Sequence, residues 1–327
     1  MLEFRTQGYN GYDLKYSPFH SDRIAVSTAA NYGLVGNGRA YILGITTVGN
    51  IVNLAQFDTT DACYGIAWSE AHENHFAVAC GDGVVRMYDG SAPGSLPLVN
   101  YAEHKREVYS WSPSRAQSIL TLPTHSCTYS VAFSPFSPSV ITSVSSDSHL
   151  RVFDIRTPAS ASNHLVSLIP IHGPAPTLNS QIPSSARSPP SECLTHDWNK
   201  YHGSVIATAG VDQMIRTFDL RNPNSGAMAT LAGHRYAVRK LAWSPHFSDV
   251  LLSGSYDMSA RIWTDGSAMG VNELGSMGPS RQLGEMDAHT EFVTGVDWCM
   301  FGAEGWVATT GWDERVCVWD SRAFVAR

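Results

Sequence analysis

The sequence predicts an all-β fold, a propeller of seven blades whose third blade is incomplete. The main observation is an interval of six residues, from an Asp to an aromatic residue, that recurs five times. The five pairs are Asp82/Tyr88, Asp147/Phe153, Asp212/Phe218, Asp257/Trp263 and Asp313/Trp319. In three of these units a His precedes the Asp by 22 to 24 residues. Self-similarity at a fixed period indicates a repeat architecture.

Each repeat unit contains several short strands. Alternating apolar segments lie between the His and the Asp, as at residues 238–243 and 307–310. Period-two alternation with β-branched and aromatic residues predicts strands, and clusters of Asn, Gly, Pro and Ser predict the turns. A unit of roughly 40–45 residues with four such strands resembles the WD40 blade. The chain of 327 residues has room for seven units, so we expect a single WD40 propeller domain over residues 1–327.

The repeated His and Asp are interpreted as structural. A buried His that donates to a buried Asp satisfies polar groups whose burial would otherwise cost about 1–3 kcal/mol each. The predicted network of the sixth and seventh units comprises His234, Ser255, Asp257, Trp263, His289, Asp313 and Trp319. A hydrolase triad of Ser, His and Asp is the alternative. Because the set repeats in several units, we favour the structural role and expect no catalytic residue and no enzyme.

Composition excludes several classes of function. The net charge is −7 and the pI is about 6.0, which argues against a general nucleic-acid binder. The six cysteines form no C-x-x-C pair and have no zinc spacing, so we expect neither a metal nor another cofactor, and mostly buried reduced thiols. No secretory signal and no run of about 18 apolar residues is visible, so we expect a cytoplasmic protein.

Two segments depart from the regular repeat, one at the end of the chain and one in the middle. The last unit stops soon after Trp319 and lacks an outer strand, which we expect residues 2–6 to supply, closing the ring. Residues 173–190 are rich in Pro and Ser and predict a surface loop inserted into the fifth blade, with a regulatory or docking loop as the alternative.

The third unit is abnormally short. His104 and His125 are only 21 residues apart, about half a repeat. Residues 104–110 read as the start of an inner strand, whereas the chain from Trp111 onwards reads as the end of a third strand. About two strands are therefore missing between Ser110 and Trp111. Because such a loss leaves unpaired strand edges, a splice variant or a gene-model error is favoured over an evolved design.

The starts of the inner strands predict an aromatic and acidic rim at the mouth of the channel. A Tyr followed by a small residue recurs in three successive units, and two further aromatic residues directly precede the network Asp residues. Aromatic rings offer rigid apolar contact area, and carboxylates attract cationic groups. The alternative is that some of these tyrosines only fill gaps between blades. The predicted rim residues are Asp61, Tyr64, Glu107, Tyr109, Tyr129, Glu192, Tyr256, Glu291 and Trp312.

Several segments resemble one family of WD40 proteins, the receptors for the type 2 peroxisomal targeting signal (the peroxin-7 family), especially in filamentous fungi. The segments are residues 68–70, 103–110, 197–201, 219–222, 233–239, 255–257 and 289–292, and residues 32–38 match the family's divergent first blade. The resemblance runs from about residue 8 to residue 322. The shortened third unit and the Pro/Ser-rich insert are departures from the family.

The resemblance implies a cytosolic cargo receptor that cycles to the peroxisome. It would bind an N-terminal nonapeptide of the form Arg/Lys-Leu/Val/Ile-x5-His/Gln-Leu/Ala. A co-receptor of the peroxin-20 type would clamp the peptide and lead it to docking peroxins 13 and 14, through which alone the receptor would meet the membrane. The implied contacts to the cationic ends are Asp61, Glu107 and Glu192, and those to the apolar face are Tyr32, Tyr64, Tyr109 and Tyr129. The junction in the shortened third unit lies beside Glu107 and Tyr109, so we expect weaker cargo binding or poorer folding than in a full-length sibling.

Two other classes stay open. One is a WD40 scaffold with a different client, such as a ubiquitin-ligase substrate adaptor. The other is an enzyme, which is disfavoured because no nucleophile and base stand outside the repeated network and no phosphate-binding loop is present.

Overall fold

The computed structural model describes residues 1–102, 122, 124, 126–156, 164–172, 190–269, 279–301 and 304–325. These residues form six four-stranded antiparallel sheets. In the first five sheets, four consecutive strands form an antiparallel meander. In the sixth sheet, three consecutive strands do so, and the N-terminal strand supplies the fourth. No helix in the described part of the chain has the length and apolar character that crossing a membrane requires.

The strands are numbered in chain order. The first sheet contains β2 (Asn10–Tyr16), β3 (Arg23–Ala29), β4 (Gly38–Ile45) and β5 (Ile51–Thr59). The second contains β6 (Cys63–Trp68), β7 (His75–Cys80), β8 (Val85–Asp89) and β9 (Val99–Tyr101). The third contains β10 (Thr128–Ser134), β11 (Ser137–Ser145), β12 (His149–Asp154) and β13 (Leu165–Pro170).

The remaining sheets have the same order. The fourth contains β14 (Cys193–Trp198), β15 (Val205–Gly210), β16 (Ile215–Asp219) and β17 (Ala229–Leu231). The fifth contains β18 (Val238–Trp243), β19 (Val250–Ser255), β20 (Ala260–Thr264) and β21 (Arg281–Met286). The sixth contains β22 (Val293–Trp298), β23 (Trp306–Gly311), β24 (Arg315–Asp320) and β1 (Leu2–Arg5), and a short helix α1 (Arg322–Val325) follows.

The sheets are arranged as the blades of a propeller. The first strands of the sheets contact one another in the order β6, β2, β22, β18, β14 and β10. These inner strands therefore surround a central channel. The core lies between blades, because each sheet presents apolar residues to the next. Trp298, for example, packs with Val250 and Leu252 of the preceding blade. An all-β propeller, as predicted, is confirmed.

The N-terminal strand closes the ring, as predicted. Leu2 pairs with Val318 and Arg5 with Arg315, so β1 is the outer strand of the sixth sheet. Arg315 Nε donates to Glu3 Oε1 at 2.9 Å across this pair. The strand removes the free edge that β24 would otherwise expose.

The described residues account for six blades, where the sequence predicts seven with an incomplete third. The predicted third blade falls on residues 104–125, and these lie outside the described residues apart from 122 and 124. The Pro/Ser-rich insert also lies outside the described part, except for Pro190. The predicted sixth and seventh blades are the fifth and sixth sheets of the structure.

The repeated His and Asp form buried networks. In the fifth sheet His234 Nδ1 lies 2.9 Å from Asp257 Oδ2, and its Nε2 lies 2.7 Å from Ser253 Oγ, which also accepts from Trp263 Nε1 at 2.8 Å. The hydroxyl that contacts His234 is that of Ser253, a residue that the predicted network did not include. Ser255 lies two pairs closer to the turn, where its Oγ accepts the backbone N–H of Asp257 at 3.1 Å.

The same arrangement recurs in the sixth sheet. His289 Nδ1 lies 3.0 Å from Asp313 Oδ2, and its Nε2 lies 2.9 Å from Thr309 Oγ1. Trp319 is buried, but its indole nitrogen has no hydrogen-bond partner among the described residues, so it contributes by packing. In both sheets the hydroxyl residue precedes the Asp by four positions. Burial of these side chains inside the blades is consistent with the structural role predicted for them.

Candidate binding face at the channel mouth

One end of the channel is built from two kinds of segment. All inner strands begin at this end, because each is the first strand of a sheet with the same topology. The start of an inner strand pairs with the end of the second strand, as Val238 does with Ser255 and Val293 with Gly311. The turns that follow the second strands therefore lie at the same end. We call this end the channel mouth.

A β-bulge interrupts the inner strand of every sheet in the described part of the chain, one or, in β2, two residues after its pairing begins. A bulge leaves one residue unpaired and re-aims its side chain. All six bulge residues line the central channel. We call them the bulge ring: Tyr12, Tyr64, Tyr129, Leu194, Arg239 and Thr294. Three consecutive sheets thus supply tyrosines, and the opposite side supplies an arginine.

Five aromatic rings form a continuous row across four blades at the mouth, and a sixth, that of Tyr32, lies beside the central ring of the row. We call them the aromatic arc: Tyr64, Tyr12, Tyr32, Trp312, Phe292 and Tyr256. Trp312 is the hub, with its ring centroid 5.1 to 5.7 Å from those of three neighbours. The row ends with a pair at 5.1 Å on one side and a pair at 4.7 Å on the other. Offset and tilted ring pairs of this kind contribute about 0.5–1.5 kcal/mol each, so the arc is a rigid apolar surface.

The turn that carries Tyr32 is strained and anchored. Ala30–Gly33 forms a short turn in which Asn31 and Tyr32 have φ values of 49° and 56°. This left-handed conformation costs about 1–3 kcal/mol for residues other than Gly. Asn10 Oδ1 accepts the N–H of Tyr32 at 2.9 Å, and the hydroxyl of Tyr12 donates to its carbonyl at 2.7 Å. These bonds hold the Tyr32 ring half exposed beside Trp312.

Asp61 lies at the Tyr64 end of the arc. Its Oδ1 accepts the N–H of Ala62 at 2.7 Å, which fixes the carboxylate at the start of β6. A Cβ placed on Gly81 would lie 3.0 Å from Asp61 Oδ1 and 3.2 Å from Tyr64 Cε2. Because Gly81 has no side chain, the carboxylate of Asp61 and the ring of Tyr64 can both lie this close to its backbone.

Two further carboxylates lie at the mouth. Glu192 Oε2 accepts from the hydroxyl of Tyr129 at 3.1 Å, which joins the third and fourth sheets. Glu291 directly precedes Phe292 and is partly exposed. Within the described residues no Lys, Arg or His forms an ion pair with Asp61, Glu192 or Glu291. The rim therefore has three carboxylates whose charge is not neutralised by a described cation.

The channel below the mouth is different, because its charges are paired. It holds a cavity of about 250 Å³. Lys240 Nζ lies 2.8 Å from Asp13 Oδ2, and Lys15 Nζ lies 3.1 Å from Asp297 Oδ1. Burial alone would lower the pKa of Lys15, but the carboxylates of Asp297, Asp13 and Asp197 raise it above its ordinary value. A cationic ligand thus finds unneutralised carboxylates at the rim and not in the channel.

The structure brings most of the predicted rim together. Tyr32, Tyr64, Tyr256 and Trp312 belong to the aromatic arc, and the other four described rim residues, Asp61, Tyr129, Glu192 and Glu291, border it or line the channel. Glu107 and Tyr109 lie outside the described residues. No group of three or more His, Cys, Asp or Glu in the described part is placed to hold a metal.

Sequence reasoning missed Tyr12 and Phe292. Tyr12 occupies the bulge of β2, the position that Tyr64 occupies in β6. The signal was a Tyr between Gly11 and Asp13 at the start of an inner strand, in a unit that lacks the repeated Asp. Phe292 directly follows the predicted rim residue Glu291 in the sequence.

Comparison with known proteins agrees with this architecture. The family described as "WD domain, G-beta repeat" matches residues 116–154, 226–264 and 280–320. A crystal structure of the WD40 β-propeller domain of Doa1 superposes with a TM-score of 0.70, covering 97% of this chain and 94% of that one at 11% identity. The second likeness shows the fold alone.

Curated relatives identify the family. The peroxisomal targeting signal 2 receptor of Saccharomyces cerevisiae is 33% identical, with 98% of this chain and 99% of that protein covered. The receptor of the same name from Komagataella phaffii is 36% identical over the same shares of the two chains. Peroxisome biogenesis protein 7 of Arabidopsis thaliana is 35% identical, with 95% of each chain covered. These names describe non-enzymatic proteins. The chain belongs to the family of peroxisomal targeting signal 2 receptors.

Proposed function

We propose that this chain is a receptor that binds the type 2 peroxisomal targeting signal of cargo proteins at the channel mouth. The observation that carries the proposal is the aromatic arc bordered by Asp61 and Glu291, with Glu192 on the neighbouring part of the rim. Rigid rings and carboxylates suit a peptide that presents apolar and basic residues together.

The spacing of the signal supports this site. As a helix, a peptide of the form Arg-Leu-x5-His-Leu places its two Leu residues on one face, about 10 Å apart. Successive ring centroids of the arc are 4.7 to 5.7 Å apart, so two or three steps along the arc cover that distance. The arc can therefore contact both Leu residues at once.

The charges define the orientation of the peptide. Asp61 and Glu192 lie on the side of the mouth where the bulge ring supplies tyrosines, and Arg239 lines the channel on the other side. A basic N-terminal residue is attracted by these two carboxylates. Such contacts influence orientation and association rate more than affinity.

The partners and location follow from the family. The receptor would share its cargo with a co-receptor of the peroxin-20 type, pass it to docking peroxins 13 and 14, and cycle between the cytoplasm and the peroxisome. It would meet the membrane only through those docking proteins. The support is full-length similarity to relatives named as receptors of this signal.

Fluorescence anisotropy of a labelled Arg-Leu-x5-His-Leu peptide, with and without the co-receptor, tests the proposal. Trp312→Ala removes the hub of the arc and should weaken binding at least tenfold, about 1.4 kcal/mol. Tyr201→Ala is the control, because Tyr201 is a half-exposed aromatic that follows β14 at the opposite end of the channel. Asp61→Asn should weaken binding and flatten its dependence on salt.

The outcome against the proposal is equal affinity for Trp312→Ala and the unmodified chain, or equal binding of a scrambled peptide. The remaining alternative is a WD40 scaffold that serves a ubiquitin ligase. A pulldown that recovers ligase subunits and no peroxins would favour that alternative.

The incomplete third blade stays a prediction of its own. The prediction is that about two strands are missing between Ser110 and Trp111. Sequencing the transcript across that junction tests it, and an intact transcript with the same coding sequence would remove the idea of a gene-model error.

A further inference from the structure

Two cysteines face each other in the second sheet. The start of each inner strand pairs with the end of the second strand, and in β6 and β7 this pair is Cys63 and Cys80. In the other five described sheets the pair at this position holds at most one cysteine. The fourth sheet, for example, pairs Cys193 with Gly210. Packing alone does not require a second thiol here.

The backbone geometry suits a bond between the two sulfurs. Gly81 N–H donates to the carbonyl of Ala62 at 2.9 Å, and the N–H of Cys80 donates to Val84 at 3.1 Å, away from Cys63. The hydrogen bond therefore lies beside the cysteine pair and does not join it. This is the narrow type of antiparallel pair, in which the Cα atoms are about 4.5 Å apart. A disulfide needs a Cα separation of roughly 4.4–6.8 Å.

The two thiols differ chemically. A hydrogen bond from Cys63 and the nearby Arg86 hold the pKa of Cys80 below its ordinary value, although burial opposes this. Burial raises the pKa of Cys63, whose Sγ lies 3.0 Å from Thr59 Oγ1. A thiolate is the nucleophilic form of cysteine, so Cys80 is the reactive member and Cys63 the member that keeps its proton.

We propose that Cys63 and Cys80 are a redox modification site that a hydroperoxide converts into a reversible intrachain disulfide. The Cys80 thiolate attacks a peroxide oxygen, the O–O bond breaks, and a sulfenic acid and hydroxide form. The sulfur of Cys63 then attacks the sulfur of Cys80 and the S–O bond breaks. Water leaves with the proton of Cys63, so that two thiols and one hydrogen peroxide give one disulfide and two waters. A dithiol reductant reverses the reaction by exchange.

The position in the blade allows a small oxidant to arrive. Both side chains are buried, but Cys63 is the first residue of β6 and Cys80 the last residue of β7. The neighbouring Thr60 and Asp82 are exposed. Strand ends open more readily than strand centres, so local opening at this end exposes the pair without unfolding the blade.

The test is disulfide mapping of the full chain by mass spectrometry after treatment with hydrogen peroxide. We expect a peptide pair that links Cys63 to Cys80, a fall from six free thiols to four, and recovery of six with dithiothreitol. A Cys127→Ser background removes the exposed cysteine, and the expected fall is then from five thiols to three. The mapping does not involve the targeting peptide, so its result is independent of the proposed function.

Two variants and one control test the roles. Cys63→Ser should accumulate a sulfenic acid at Cys80 that dimedone traps, and Cys80→Ser should give neither sulfenic acid nor disulfide. Cys193→Ser is the matched control, because Cys193 occupies the same position opposite Gly210 and burial raises its pKa. It should keep the disulfide. The proposal is overturned if Cys63 and Cys80 stay reduced while other thiols oxidise, or if dimedone labels Cys63 instead of Cys80.

Discussion

The buried network of the fifth sheet should be a major source of stability. Asp257 is 3% exposed and His234 is fully buried at its side chain. The carboxylate accepts from His234 Nδ1 at 2.9 Å, from the N–H of Arg235 at 3.0 Å and from Ser259 Oγ at 2.6 Å. Asp257→Ala removes the acceptor and leaves the two buried side-chain donors, of His234 and Ser259, without partners.

The magnitude follows from these donors. A buried donor left unsatisfied costs about 1–3 kcal/mol, so two cost roughly 2–6 kcal/mol, with about 4 kcal/mol as the central value. The Asp of the second sheet provides a matched control. Asp82 occupies the same repeat position, but its side chain is 28% exposed and its charged partner is Arg86. A surface pair of this kind contributes about 0–1 kcal/mol, so Asp82→Ala should cost far less.

Urea unfolding measures both variants. Equal slopes with different midpoints would report the difference in the free energy of unfolding directly. We expect Asp257→Ala to lose about 4 kcal/mol and Asp82→Ala about 1 kcal/mol or less. Equal losses for the two variants would refute the structural role of the His and Asp pair, because the repeat position alone would then determine the cost.

Two further predictions concern acid stability and ring closure. Burial alone would raise the pKa of Asp212, but hydrogen bonds from His172 and Arg216 lower it from 3.8 to about 2. Its contribution of about 2 kcal/mol is present above pH ~4 and lost as the pH falls to ~2, so Asp212→Asn should flatten the pH dependence of unfolding in that window. Deletion of residues 1–5 exposes the edge of β24 and should lower Tm by several degrees, whereas Glu3→Gln should change Tm little, since the surface pair with Arg315 contributes less than about 1 kcal/mol. An unchanged pH dependence of unfolding in Asp212→Asn would contradict the first expectation. Equal Tm values for the deletion and for Glu3→Gln would contradict the second.

The sequence predicted the scaffold because the scaffold repeats. A His, an Asp and an aromatic residue at constant spacing report the same buried contacts in each blade, and the structure places His234 and His289 as expected. The predicted network included Ser255, which contacts the backbone N–H of Asp257, and omitted the hydroxyl residue that contacts His234. The actual partner, Ser253, lies four residues before the Asp, and this spacing is visible only when Thr208, Ser253 and Thr309 are compared.

The candidate site was predictable only in part, because contacts between blades do not follow the repeat. Tyr64 and Trp312 were expected at the mouth, but their connection through Tyr12 depends on a left-handed turn and on bulges. A register shift of one residue decides whether a side chain enters the channel or the core. Spacing along the sequence does not reveal that shift in a first blade whose Asp-to-aromatic interval is absent.

The contrast between two sets of repeated positions explains how one scaffold can acquire a specific ligand. The network positions hold the same chemistry in the fourth, fifth and sixth sheets, because a His, an Asp and a hydroxyl must all be satisfied inside a blade. The bulge ring has equally constant backbone geometry, yet its six side chains differ in size and charge. The bulge side chains face the channel, and those of Tyr12, Tyr64 and Thr294 donate to backbone carbonyls. Binding specificity can therefore differ at the bulge ring while the backbone geometry of the blades stays constant, as the tyrosines in three consecutive sheets and the arginine in the fifth illustrate.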